Sequence, residues 1–130
     1  MKEMLEVKFV SPKKGNGVFT TKNIRRGSIF DIAHFILISN DEYDIIKDTT
    51  IGNYLFSWDE NKSQYQTAIP FTICQFINHS FNPNAKYSYK FTDNTIEFSA
   101  IKDILKDEEI TLNYNGVVED KTPVWFEVEQ

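Results

Sequence analysis

Residues 75–87 read Gln75-Phe76-Ile77-Asn78-His79-Ser80-Phe81-Asn82-Pro83-Asn84-Ala85-Lys86-Tyr87, a short apolar run that turns polar and then returns to aromatic chain. Asn, Ser and Pro favour turns, so local propensity reads the stretch as a connection between two apolar segments. Asn78-His79-Ser80, like Asn61-Lys62-Ser63, also fits the acceptor pattern for N-glycosylation, which requires an exported chain. Charges at Lys2, Glu3, Glu6 and Lys8 occupy the place where a signal peptide is basic and then apolar. The expectation is therefore an intracellular, cytoplasmic protein, or one of a host nucleus if the chain is viral or an effector.

The 130 residues suit one domain with a modest core. The longest apolar run, Phe35-Ile36-Leu37-Ile38, has the length of a strand, so no membrane contact is expected. Cys74 has no partner for an internal disulfide, and with only His34 and His79 there is no ligand set for a structural zinc. A formal net charge of -5 disfavours direct contact with nucleic acid and favours a basic partner, although it is also ordinary for a soluble protein.

Short strands dominate the local signals. Leu5 to Phe9 alternates in polarity and ends at Ser11-Pro12, and Gly15-Asn16-Gly17 reads as a turn before Val18-Phe19. Arg25-Arg26-Gly27 reads as another turn, before an apolar run from Ile29 to Ile38. Ser39 followed by Glu42 forms a capping-box pattern, which predicts one short helix that ends before Gly52. Tyr54 to Trp58 and Tyr65 to Ile69 read as strands. Ala85, Tyr87, Tyr89 and Phe91 alternate on one face of another strand, which Thr92-Asp93-Asn94 turns back into Ile96-Glu97-Phe98. No internal repeat or linker is apparent. Asp107-Glu108-Glu109 reads, taken alone, as a solvated turn, and Tyr114 as a half-buried strand end.

Three pieces in order change that reading. Gly15-Asn16-Gly17-Val18-Phe19, Phe76-Ile77-Asn78-His79-Ser80 with Pro83-Asn84, and Asp107-Glu108-Glu109-Ile110-Thr111 with Tyr114 resemble the signature motifs of the SET-domain protein lysine methyltransferases. Thr21 to Gly27 and Ala100 to Ile104 are similar to further steps of that family, and Tyr54 to Asp59 resembles its short stand-alone bacterial and viral members.

The resemblance implies a mostly β fold with small α content, made of small curved sheets in a β-clip-like arrangement with a C-terminal pseudoknot. It implies a SET domain over 1–116 and a tail over 117–130 that completes the site. It implies a protein-lysine N-methyltransferase that uses S-adenosylmethionine and acts on a basic, lysine-containing protein segment such as a histone tail. By motif, Tyr114 is the catalytic tyrosine and Tyr87 a second tyrosine of the lysine channel. Lys14, Gly15, Asn16 and Gly17 wrap the methionine end of the cofactor, Asn78 and His79 contact the adenine through their backbone, and Tyr54 lies against the cofactor. His79 reads better as a hydrogen-bonded core histidine than as a general base. Leu112 and Tyr87 lean towards addition of a single methyl group.

Phe81 stands where the commonest motif has Cys, and Asn113 where Asp is frequent. No cysteine-rich zinc segment follows the domain, so another part must close the site. Pro123-Val124-Trp125-Phe126 reads either as a last strand or core plug, or as a cover in which Trp125 packs over the cofactor. A homodimer is the other source of cover. The alternative function is a catalytically silent SET module that binds a peptide or partner.

Overall fold

The computed structural model of the chain describes residues 4–57, 65–115 and 118–124. The fold is mostly β, with one α-helix and two curled sheets. Trp58, Gly116, Trp125 and Phe126 lie outside the described residues, and so does the expected role of Trp125.

The first sheet has the order β1-β2-β9-β6. β1 (Leu5–Ser11) and β2 (Gly15–Thr20) form an antiparallel hairpin in which Val7 faces Val18. The turn belongs to Pro12-Lys13-Lys14 rather than to Gly15-Asn16-Gly17, which begins β2 and so departs from the sequence expectation. Proline presets the turn, and Gly15 follows it at φ 71, a left-handed conformation that rejoins the ladder with a bulge. β9 (Glu109–Leu112) pairs antiparallel with β2 and parallel with β6 (Asn78–His79), with Asn78 opposite Thr111 and His79 opposite Leu112. Residues near 78 and 114 thus meet, as the resemblance implied.

The second sheet has the order β4-β5-β3-β8-β7. The eleven-residue β3 (Ile29–Ser39) serves two partners: β8 (Thr95–Ala100) along its first half and β5 (Tyr65–Pro70) along its second. Register shifts at Ile29/Asp31 and Ile38/Ser39 mark irregularities of the kind that bend a strand. β7 (Ala85–Lys90) and β8 form the expected hairpin, with Asn94 at φ 54 in its turn. The stretch expected as a strand from Tyr54 divides instead into a 3-10 turn, Thr50–Tyr54, and a two-residue β4 (Phe56–Ser57).

Helix α1 (Asn40–Ile46) forms where the capping box predicts it: the Ser39 Oγ accepts the Glu42 N–H at 3.2 Å, and Glu42 returns a bond to the Ser39 N–H at 3.1 Å. One feature escaped the sequence. The segments before β3 and before β9 make the same turn: Ile24 and Ile104 exchange backbone bonds of 2.8 Å, Asn23 Oδ1 accepts from Lys106 N, and Asp103 Oδ1 accepts from Arg26 N. Phe98, Ile77, Ile96, Ile104, Ile110, Leu112 and Val18 are buried together between the sheets. Within β9, Ile110 and Leu112 enter that core, which leaves Glu109 and Thr111 on the opposite face.

Candidate active site

Tyr114 follows β9 and is held at both ends. Its backbone N–H donates to His79 Nδ1 at 3.0 Å, and its hydroxyl donates to the carbonyl of Ile77 at 2.5 Å. The two acceptors flank Asn78, so the parallel pairing of β6 with β9 sets the tyrosine across one short strand. His79 is buried, its ring centroid 5.2 Å from that of Tyr114, and burial pushes its pKa down. A neutral ring keeps Nδ1 available as an acceptor, so the expectation of a bonded core histidine agrees with this geometry.

Asn78 Nδ2 donates to the Asn16 carbonyl at 3.1 Å and to Glu109 Oε2 at 2.8 Å. Gly17, beside Asn16, is required by packing: a Cβ there would stand 2.6 Å from Glu109 Oε2, 2.8 Å from Val10 Cγ2 and 2.9 Å from Asn78 Nδ2. Segments far apart in sequence therefore meet at Asn16, Gly17, Asn78, Glu109 and Tyr114. Glu109 is the member that the sequence reading missed, because three consecutive acids carry no local mark of which one turns inward. The alternation within β9 was the available signal, since residue 109 must face away from Ile110 and Leu112.

Lys14 and Gly15 lie on the approach to Asn16, and open space surrounds the position where a Gly15 Cβ would be. Tyr54 is drawn to the site through Gln75, whose Nε2 donates to the Tyr54 carbonyl at 2.9 Å and to the Pro70 carbonyl at 3.2 Å. Burial pushes the Tyr114 hydroxyl up to about 12, helped by electrostatic coupling to Tyr54 and Glu109. It is a neutral phenol at neutral pH, able to donate one hydrogen bond and accept others.

Tyr87 stands on the second sheet in a ring cluster with Phe56 at 5.0 Å, Tyr89 at 5.8 Å and Phe98 at 6.4 Å. Burial raises its pKa as well. Leu112 is a core residue, 2% exposed. A groove of about 860 Å³ opens between α1 and the Thr50–Tyr54 turn, with Tyr43, Lys47, Asn53, Leu55 and Phe56 in its walls. It excludes Tyr114 and Asn78, and joins the Tyr87 cluster through Phe56. No group of His, Cys, Asp and Glu suited to a metal occurs among the described residues.

This arrangement is suited to holding and orienting groups rather than to strong acid–base chemistry. His79 Nδ1 is committed to the Tyr114 backbone, the Glu109 carboxylate is bonded to Asn78, and Tyr114 keeps its proton. What converges at Tyr114 is a phenol hydroxyl and a main-chain carbonyl, both polar and neither strongly basic.

Residues 15–115 match the family model described as the SET domain. The chain is 25% identical over 118 residues to a Schizosaccharomyces pombe histone-lysine N-methyltransferase specific for H3 lysine 37, covering 90% of this chain and 74% of that protein. A solved Plasmodium falciparum structure, assigned as a histone methyltransferase, is 26% identical with a TM-score of 0.66 and covers 88% of this chain and 95% of that one. Chaetomium thermophilum polycomb repressive complex 2 bound to S-adenosylmethionine is similar at 25% identity and a TM-score of 0.71, covering 88% of this chain and 15% of that one.

Proposed function

We propose, from the premise that this chain belongs to the SET-domain family, that it is a protein-lysine N-methyltransferase using S-adenosylmethionine and acting on a basic protein segment. The observation that carries the reading is the double anchoring of Tyr114, through Ile77 and His79, beside the Asn16–Asn78–Glu109 junction. The S. pombe relative acts on a histone lysine, which supports a substrate of that kind.

Bound S-adenosylmethionine would supply an electrophilic methyl group. The residues that would hold it fit: Gly15 leaves room for a close approach to the backbone, and Lys14, Asn16, Gly17, Asn78 and the His79 backbone lie beside it, with Tyr54 alongside. A lysine amine attacks only when neutral, and deprotonating it at pH 7 costs about 4.6 kcal/mol, from roughly 3.4 units below a pKa of about 10.4. An apolar aromatic wall lowers that cost by disfavouring the ammonium, so no basic side chain is needed. Tyr114 would accept an N–H of the amine while its own proton remains on the Ile77 carbonyl, and this pair fixes the direction of attack. Tyr87 would line the channel and, with its hydroxyl, disfavour a bulkier methylated lysine.

The test is transfer of label from methyl-tritiated S-adenosylmethionine to core histones, with wild type and Tyr114→Phe side by side. The expected result is transfer by the wild type and at least a tenfold lower rate in the variant, about 1.4 kcal/mol or more. Equal rates would show that the catalytic tyrosine is misassigned. The second reading, a silent partner-binding module, would be favoured if calorimetry found no uptake of S-adenosylmethionine by folded wild type.

A further inference from the structure

Two amides on either side of Tyr114 hold the chain that follows it. Asn113 is 4% exposed, and its side chain is fully engaged. Nδ2 donates to the Val118 carbonyl at 3.2 Å and the Asp120 carbonyl at 2.6 Å, while Oδ1 accepts the Asn115 N–H at 3.0 Å. Asn115 Nδ2 in turn donates to the Thr122 carbonyl at 2.8 Å and, at 3.5 Å, to that of Asp120. Asp120 Oδ1 accepts the Thr122 N–H at 2.8 Å. On the far side of this loop, Lys121 Nζ donates to the Phe81 carbonyl at 2.5 Å and stands 5.9 Å from the centre of the Phe81 ring. The Phe81 ring meets His79 edge-on at 4.4 Å. A closed circuit thus runs from Tyr114 through His79, Phe81 and Lys121 to the loop, and back through Asn115 and Asn113.

We infer that Asn113 and Asn115 are positioning residues that clasp residues 118–122 as a strap against the His79–Phe81 segment, where the strap completes the cofactor-binding face. This inference rests on the methyltransferase reading above. The clasp depends on an amide. A carboxylate at position 113 has the same size but no N–H to give, and would turn its charge towards two carbonyl oxygens. Neither bond that seats Tyr114 involves the strap. Unlatching it therefore acts on uptake of the cofactor and spares the orientation at Tyr114.

The experiment compares the full chain with Asn113→Asp and Asn115→Ala, by hydrogen exchange, by calorimetry with S-adenosylmethionine and by label transfer to core histones at saturating cofactor. The expected outcome is at least tenfold faster exchange in peptides covering 118–124, at least fivefold weaker binding of S-adenosylmethionine, and turnover at saturation within twofold of wild type. Unchanged exchange would overturn the clasp. Faster exchange with affinity kept within twofold would overturn the strap's part in the site. Equal losses of affinity and saturated turnover would mark a merely structural role and also overturn the inference. Lys121→Met, which leaves both amides intact and removes the anchor on Phe81, covers the case in which Asn113→Asp does not fold; its expected effect is a smaller loss of affinity with turnover preserved, and an unchanged affinity counts against the strap. Wild type that takes up no S-adenosylmethionine overturns the cofactor reading itself, whereas wild-type uptake with unaltered variants overturns only the clasp.

Discussion

Gly17 shows how closely the site is packed around one hydrogen atom. Its neighbours are a carboxylate oxygen, a side-chain amide and a valine methyl, all nearer than a real Cβ tolerates. Gly17→Ala is therefore expected to push Glu109 and Asn78 apart and to break their 2.8 Å bond. Overpacking of this kind costs about 1–3 kcal/mol, read as a lower urea midpoint, and calorimetry should show weaker uptake of S-adenosylmethionine. An alanine variant with unchanged midpoint and affinity would mean that the junction tolerates what its geometry forbids. Gly17, Asn78 and Tyr114 were legible because each stands within a recognisable motif. Glu109 was not, because its importance comes from partners 31 and 92 residues away in sequence, the first of them Asn78 and the second Gly17.

At the scale of elements, local rules worked where the determining contacts are local. Ser39 and Glu42 lie three residues apart and satisfy each other, so α1 could be placed from sequence alone. The twin turns before β3 and β9 could not, because their similarity is one of backbone pairing rather than of residue identity. Both need a left-handed residue: Gly27 at φ 88 in one and Asp107 at φ 74 in the other. The two substitutions should then act in opposite directions. Gly27→Ala has open space for its methyl, so its cost is conformational, about 1 kcal/mol. Asp107→Gly should be neutral or stabilising by up to about 1 kcal/mol. Chemical denaturation of both variants checks the pair, and a stabilised Gly27→Ala would contradict the account. Gly15 and Tyr54 were misjudged for related reasons. A glycine after a proline turn resembles the turn itself, and an aromatic run in the Thr50–Tyr54 region reads as a strand unless the anchor from Gln75 is known.

At the scale of the whole molecule, the parallel contact of β6 with β9 ties the site to global stability. His79 sits in that contact, and burial depresses its pKa below the usual 6.5. The unfolded chain therefore binds the proton more readily than the folded one. The contribution of His79 to stability is complete above about pH 6.5 and declines as pH falls towards its depressed folded-state value. Thermal midpoints should drop between pH 7.5 and 5.5 in the wild type, while His79→Asn starts lower and changes less over that window. Parallel slopes for the two proteins would assign the acid sensitivity elsewhere.

By itself the sequence determined which short strands form, where the one helix begins and which motifs carry the chemistry, because alternation, capping and turn formation are decided within a few residues. It also carried the family, through the order of three motifs. Only the tertiary structure decided that Glu109 rather than its acidic neighbours joins Asn78, that Tyr54 approaches through a 3-10 turn, and that Asn113 and Asn115 clasp the strap. Those outcomes depend on the parallel pairing of two strands remote in sequence, and hydrogen bonds across such a crossing have no signature in the local order of residues.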